Sequence, residues 1–335
     1  MPLHRQADNI SDNRVFKFTE GYRFFYELYQ RRYNRVILLQ ESFGGKYRFL
    51  YGRLLALLTG APIRIGPPSR MVRNWAGSDL LTYGVRSHGK HRIRYCLEAL
   101  EALGVRDYNC RTEMWIADED KAVVDRILRD NGIEDRGLIV GINPNVSAPL
   151  KGWPLERFAR LADRIVSDCG AVVVLTGGKG DIIRTFIVAR LMENRSLNLA
   201  GRLTLGQLAA LIDRCDLFIS CDSGPAHIAM AVNTPLVVLF GPTEPEVWGP
   251  LGDVPATVIR KQSLSCGPCY SGGCEIGTRC CMESITVEEV FEAATRYILV
   301  LDNCKNELLC CPRRQWFRFS PCKSAPKAIE FRRED

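Results

Sequence analysis

The stretch that most constrains this chain is residues 216–250. A short apolar run, Leu217 to Ser220, has the length and composition of a strand buried on both faces of a parallel sheet. Asp222-Ser223-Gly224-Pro225 follows, with a residue suited to capping, a glycine, and a proline where the first helical turn tolerates it. Ala226 to Val232 continues as a helix, Asn233-Thr234-Pro235 breaks it, and Leu236 to Phe240 is a second buried strand. The turn Gly241-Pro242-Thr243 leaves that strand. Strand, glycine turn, helix start, strand, glycine turn is the carboxyl edge of an open α/β sheet. Free N–H groups and the helix dipole make such an edge a ready site for phosphate. Taken alone, Asp-Ser-Gly-Pro is only a capped turn, and Asp222 would repel a diphosphate; it suits sugar hydroxyls, with Ser223 and Gly224 offering N–H groups to the anion.

The rest of the chain repeats the alternation. Leu138 to Asn143 reads as a strand, Leu155 to Asp168 as a helix, and Ala171 to Thr176 as a strand ending in Gly177-Gly178. Asp181 to Glu193 and Leu205 to Asp213 are helices, and Ile285 to Leu301 is a closing one. Upstream, Val15 to Phe18, Val36 to Gln40 and Ala61 to Gly66 read as strands, and Lys46 to Leu58, His91 to Leu103 and Lys121 to Arg129 as helices. The aromatics of a helix over Glu20 to Arg32 are simplest as core packing. Short strands alternating with helices mean an α/β fold of doubly wound parallel sheets. With Asp130-Asn131-Gly132 and the residues to Gly137 as linker, the expected domains are 1–135, an incomplete first Rossmann-like domain, and 136–301, a second one with a Cys-rich loop at 264–282. Residues 302–335, basic and Cys-bearing, are expected as a loosely ordered tail.

Composition narrows the classes. With 335 residues, 46% hydrophobic and 25% charged, the chain is an ordinary globular protein. It lacks an apolar run near the roughly 20 residues of a membrane span, and Met1 to Asn13 lacks the apolar core of a signal peptide. A cytoplasmic location follows as the expectation. The net charge of +7 collects in the first 95 residues and the tail. Without zinc-finger spacing or an RNA-binding aromatic signature, nucleic acid is not expected as a partner. Peripheral contact with an anionic membrane, or an anionic glycolipid, fits the charge equally well.

Four turns should share one crevice: 143–151, 177–179, 222–224 and 241–243. Lys151, just ahead of a helix that Pro154 can start, can reach a diphosphate as a flexible point charge; singly it reads as a solvated loop lysine. Cys266, Cys269, Cys274, Cys280 and Cys281 form a Cys-x-x-Cys-led cluster. Four of them, Cys266, Cys269, Cys274 and Cys281, could surround a structural zinc; reduced thiols in a tight loop are the alternative.

The assembled motifs resemble glycosyltransferase family 9, the heptosyltransferases of lipopolysaccharide core assembly. The resemblance is carried by Lys151-Gly152-Trp153-Pro154-Leu155-Glu156-Arg157-Phe158, Val174-Leu175-Thr176-Gly177-Gly178 and Asn198-Leu199-Ala200-Gly201-Arg202-Leu203-Thr204-Leu205. Asp222-Ser223-Gly224-Pro225-Ala226-His227, Phe240-Gly241-Pro242-Thr243 and Trp248-Gly249-Pro250 complete it. It implies a GT-B fold of two facing Rossmann-like domains, with donor on the second and acceptor on the first. It implies inverting transfer of a heptose, or a related sugar, from an ADP-sugar to a lipid-anchored glycan acceptor of the lipopolysaccharide-core kind, with no obligatory metal. By position, Ser147 and Lys151 would hold the diphosphate, Asp222 would face the donor sugar, and Ser223 and Gly224 would supply N–H groups. His227 and Thr243 fall in the same donor-side motifs, and Asn198 near the nucleoside.

The family opens with a strand and a glycine-aspartate turn that carries its proposed general base. This chain starts with what resembles the family's third strand. The catalytic residue is therefore unassigned, its family position lying upstream of Met1, and the spacing of Asp79, Glu98 and Glu101 recommends none of them. On this reading the chain binds ADP but transfers sugar poorly. The rivals are a non-catalytic nucleotide-sugar-binding remnant or a truncated gene model and, more distantly, a two-domain transferase that uses a UDP-sugar.

Overall fold

The computed structural model describes residues 26–38, 46–66, 83–84, 91–101, 103–105, 110–133, 137–261, 264, 266, 269, 273–274, 276–306 and 330–331. The chain divides into two compact units, Met1–Asn109 and Cys110–Asp335.

In the first unit β1 (Arg35–Ile37), β2 (Ile63–Gly66) and β3 (Tyr83–Gly84) form a parallel sheet in that order. Helix α1 (Lys46–Leu58) connects β1 to β2, and α2 (Arg92–Glu101) follows β3. Arg35 pairs with Ile63 and Ile65 with Tyr83. Helix α1 ends as Thr59 Oγ1 donates to the Ala56 carbonyl at 2.6 Å, and Gly60 turns the chain at φ +69°. Of the aromatics expected in the core, Tyr26 and Tyr29 are instead 54% and 59% exposed, and Tyr22, Phe24 and Phe25 lie outside the described residues. Tyr29 lays its ring over Gly60, where a Cβ would stand 2.9 Å from it, so the turn and not the core receives the ring. The strand read at Val15 to Phe18, and Asp79, lie outside the described residues.

The second unit holds helix α3 (Asp118–Asp130) and then a series of strands and helices. These are β4 (Ile139–Asn143), α4 (Leu155–Cys169), β5 (Val172–Leu175), α5 (Ile182–Leu191), β6 (Leu197–Asn198) and α6 (Leu205–Arg214). They continue with β7 (Leu217–Cys221), α7 (Gly224–Ala231), β8 (Leu236–Leu239), α8 (Pro245–Trp248), β9 (Ala256–Ile259), α9 (Cys280–Glu283), α10 (Val287–Asn306) and β10 (Glu330–Phe331). The sheet order is β10-β9-β8-β7-β4-β5-β6, and every pairing is parallel. Such strands are buried on both faces, and β4, β7, β8 and β9 are buried at every residue.

Successive side chains go to opposite faces. Val140, Ile142, Val173, Leu175, Ile219, Val237 and Leu239 pack with Phe158, Leu161 and Ile165 of α4 and Ala294, Tyr297 and Ile298 of α10. Phe218, Leu236 and Val238 pack with Ala209 and Ile212 of α6 and Ala229 and Met230 of α7. Ile139 and Val174 pack with Val124 and Leu128 of α3 and Leu211 of α6. Two residues ahead of α4 stands Trp153, fully buried, whose Nε1 donates to the Ile285 carbonyl at 3.0 Å and whose ring meets Phe158 edge-on. The helix ends at Gly170, φ +61°, whose N–H bonds the Val166 carbonyl.

The division therefore falls at 109/110 and not at the expected 135/136. Asn131-Gly132 looks like a linker, but Val124 and Leu128 bury their side chains in the second unit's core, which keeps α3 with that unit. At the far end, α10 runs to Asn306, and Glu330–Phe331 adds β10 beside β9, so a part of the stretch expected as tail is ordered. Residues 307–329 and 332–335 lie outside the described residues. No helix among the described residues is long and apolar enough to cross a membrane.

Candidate functional site

The carboxyl ends of β4, β5, β7 and β8 point one way, and each opens into a turn. After β4 the chain runs through Asn143 and Asn145 to a 3-10 turn, Pro149–Lys151. After β7 comes Asp222, and after β8 Gly241 to Thr243.

Three of these turns meet at one carboxylate. Asp222, 6% exposed, accepts on Oδ2 from Lys151 Nζ at 2.6 Å and from Thr243 Oγ1 at 2.6 Å. The Lys151 side chain keeps 24% exposure against 5% for Asp222, so the ammonium lies at the mouth of the site and the carboxylate beneath it. Lys151 and Asp222, read above as serving phosphate and sugar separately, form an ion pair. Thr243, placed by the sequence in the donor-side motifs, holds the same carboxylate oxygen.

Beneath them lies a hydrogen-bonded polar layer that the sequence reading did not single out. Asn143 Nδ2 donates to the Asn145 carbonyl at 3.0 Å, and the Ser220 and Ser223 hydroxyls bond one another at 2.9 Å. Asn145 Nδ2 donates to the Thr176 carbonyl and to Thr185 Oγ1, at 3.0 and 2.9 Å, tying the β4 turn to the β5 turn and to α5. Its Oδ1 is buried with no hydrogen-bond partner among the described residues. Gly177 admits this layer: a Cβ there would stand 2.6 Å from Asn145 Nδ2 and 2.9 Å from Thr185 Oγ1. The signal available in the sequence was Asn143-Pro144-Asn145, two amides at the end of an apolar strand.

Ser223 occupies the N-cap of α7, but its hydroxyl turns to Ser220 and makes no side-chain cap. The helix start thus keeps N–H donors available for an external acceptor. Gly224 and His227 are exposed on this helix. Ser147 is exposed on the β4 loop, with no hydrogen bond among the described residues. Asn198 ends β6 and its Oδ1 accepts the Ala200 N–H at 3.0 Å, so its side chain holds its own turn.

A second cation stands near Lys151. Arg184, on α5, brings its guanidinium within 3.6 Å of where a Cβ on Gly152 would lie, and its charge reaches Cys221. Burial pushes the Cys221 thiol up to about 12, against the opposing pull of Arg184 and Lys151, so Cys221 is an inert core side chain and not a nucleophile.

The Cys-rich loop adjoins the β8 turn. The Cys269 N–H bonds the Pro242 carbonyl at 2.8 Å, and a Cβ on Gly241 would run into Met282. A cavity of about 280 Å³ is bounded there by Gly241, Pro242, Arg260, Cys266, Cys269 and Cys281. The Arg279 N–H, with those of Ile276, Gly277 and Thr278, lowers the Cys274 thiol, whereas burial, then the neighbouring Cys280, raises Cys266 and Cys281. The thiols share a neighbourhood, yet among the described residues no group of three or more His, Cys, Asp or Glu side chains is arranged to hold a metal.

Residues 22–278 match the family model of glycosyltransferase family 9 (heptosyltransferase). The chain belongs to glycosyltransferase family 9. It is 36% identical over 166 residues to lipopolysaccharide heptosyltransferase 3 of Escherichia coli K12, covering 49% of this chain and 47% of that protein. It is 27% identical over 279 residues to lipopolysaccharide heptosyltransferase 2 of the same strain, covering 78% of this chain and 72% of that one. The first of these matches thus spans about half of its relative's length. Among solved structures, a family 9 glycosyl transferase from Veillonella parvula superposes with a TM-score of 0.67 at 26% identity, over 85% of this chain and 80% of the other. The E. coli ADP-heptose lps heptosyltransferase II superposes at 0.65 with 24% identity, over 85% and 82%, which speaks to the fold. The α/β architecture is accordingly of the GT-B type, and Lys151, Asp222 and Thr243 lie within the stretch that matches the family.

Proposed function

We propose that the second unit binds an ADP-sugar, an ADP-heptose, with the diphosphate between Lys151 and the first turn of α7. The observation that carries this reading is the Lys151–Asp222–Thr243 cluster at the carboxyl edge of a parallel sheet, next to an uncapped helix start. Lys151 supplies a mobile ammonium, Ser223 and Gly224 supply N–H groups, and Arg184 adds a positive field. The named relatives are lipopolysaccharide and ADP-heptose heptosyltransferases, and the same donor and a lipopolysaccharide-core acceptor are the substrates proposed for this chain.

In the transfer an acceptor hydroxyl displaces ADP at the anomeric carbon: the new glycosidic C–O bond forms as the bond from that carbon to the β-phosphate oxygen breaks, and the hydroxyl proton passes to solvent. Charge grows on the departing diphosphate, and preorganised cation and N–H donors stabilise it more in the transition state than in the ground state. The Asp222 carboxylate, anchored by Thr243, aims Lys151 until phosphate takes it over, and its other oxygen is left for a sugar hydroxyl. Ser147 would add a hydroxyl at the loop's rim. No step in this scheme requires a metal.

Calorimetric titration with ADP-heptose, ADP and UDP tests the donor, and turnover of ADP-heptose with a delipidated core acceptor tests the transfer. Preference for UDP over ADP, or nucleotide binding unaffected by loss of Lys151, would overturn the reading.

A further inference from the structure

Helix α5 (Ile182–Leu191), Ile-Ile-Arg-Thr-Phe-Ile-Val-Ala-Arg-Leu, is apolar on two sides. One side is accounted for: Thr185 and Val188 are fully buried beneath it. The other is not. Ile182, Ile183, Phe186, Ile187 and Leu191 are exposed by 47%, 75%, 56%, 39% and 46%. A helix hydrophobic all round is normally buried all round, so an apolar face left in water asks for a covering surface.

Charge says what covers it. Residues 182–192 contain no carboxylate, and Lys179, Arg190 and Arg195 flank the apolar stripe as exposed cations. The nearest acids along the chain are Asp181, whose Oδ2 accepts from the Gly178 N–H, and the exposed Glu193, while Asp163 of α4 is engaged by the Glu193 and Asn194 N–H groups at the far end of the helix. Apolar side chains ringed by Lys and Arg are the composition of a helix lying in the headgroup region of an anionic bilayer. A second copy of the chain fits less well. Ten residues make a strip about 15 Å long and about 10 Å wide, far short of the roughly 800 Å² per partner that a stable interface buries.

We propose that α5 is the surface by which this chain rests on an anionic membrane. Phe186 and Ile183 enter the acyl boundary, and Lys179, Arg190 and Arg195 contact lipid phosphates. The proposal rests on the transfer reading to the extent that a lipid-anchored acceptor lies in such a membrane. It adds which surface meets the lipid.

The test is co-sedimentation of the full chain with vesicles of phosphatidylcholine alone and with about 30% phosphatidylglycerol. Binding is expected to the anionic vesicles and should weaken as salt rises. Ile183→Glu with Phe186→Glu should lower it about tenfold or more, while calorimetric ADP affinity, which reports an intact fold, stays unchanged. Arg190→Glu with Arg195→Glu should lower binding to anionic vesicles only. A native chain that binds neither vesicle, or a Glu pair that binds as well as the native chain, overturns the proposal. So does a native dimer that light scattering shows the Glu pair dissolving into monomers. Failure is distinguishable from failure of the transfer reading: a chain that binds vesicles but does not consume ADP-heptose sinks only the latter, and one that acts on the delipidated acceptor but ignores vesicles sinks only this one.

Discussion

Lys151 Nζ stands 2.6 Å from Asp222 Oδ2, across 71 residues of sequence, and the same oxygen accepts from Thr243. The cation proposed for the diphosphate is therefore already held by a carboxylate before any ligand arrives, and a ligand phosphate competes with Asp222 for it.

Lys151→Ala should weaken ADP-sugar binding far more than adenosine binding. A charge-assisted contact to phosphate is worth roughly 1.5–3 kcal/mol, about ten- to a hundredfold in affinity. Calorimetry with both ligands decides; equal losses would take Lys151 off the diphosphate.

Asp222→Asn follows from the ion pair. Asparagine can still accept from Thr243, but Lys151 is released, so ADP affinity should hold or rise by up to about tenfold, while recognition of the sugar worsens. A collapse of ADP binding in the same titration would mean that the carboxylate serves the nucleotide itself.

Gly177→Ala should cost about 1–3 kcal/mol of stability, the range for overpacking a filled site. Its Cβ would collide with Asn145 Nδ2 and Thr185 Oγ1, the bonds that join the β4 turn to α5. Urea unfolding measures the loss; a variant as stable as the native chain would show that the layer yields freely.

Glu289 gives a pH prediction. Burial alone would raise its carboxyl, but bonds from Lys261 and from the Thr286 N–H and hydroxyl together hold it below its ordinary 4.5. A carboxyl depressed in the folded chain stabilises above its unfolded value, and that contribution is lost as pH falls through the folded one. Glu289 also closes the capping box of α10, accepting from the Thr286 N–H while Thr286 Oγ1 accepts from its own N–H. Glu289→Gln keeps a capping-box acceptor but loses the charge facing Lys261, so it should cost about 1 kcal/mol near neutral pH, a gap that narrows as pH falls below 4.5. A gap independent of pH would assign the effect to packing.

The sheet was legible because β4, β5, β7 and β8 are buried on both faces and read as unbroken apolar runs. Strand β6 has two residues, too few to carry a period, and β9 is a four-residue run lost between loops. Helix α3 was visible, but its allegiance was not, since Val124 and Leu128 declare a partner only once Leu211 and Ile139 are near. In the site, Lys151, Asp222 and Thr243 were each picked out by turn chemistry, whereas their convergence is a property of strand order. Arg184 went unnoticed because it interrupts a helix whose pattern is otherwise core-like, the same helix whose outer face turned out to be exposed.

Strand β4 sits between β5 and β7, and its two seams differ in how they can form. Ile139 meets Val172 across one, and across the other its N–H is taken by the Asp216 carboxylate, 77 residues away. Closing a loop of that length costs roughly 4 kcal/mol of chain entropy, about 0.7 kcal/mol more than the nearer seam, before a single ladder bond returns it. Parallel pairing of such distant segments is slow. The β4–α4–β5 and β7–α7–β8 pieces should therefore assemble locally first, with their docking along β4–β7 as the late event. Lys151 lies on one piece and Asp222 with Thr243 on the other, so the donor cluster comes into existence only at that step, and nucleotide added during refolding can accelerate nothing that precedes it.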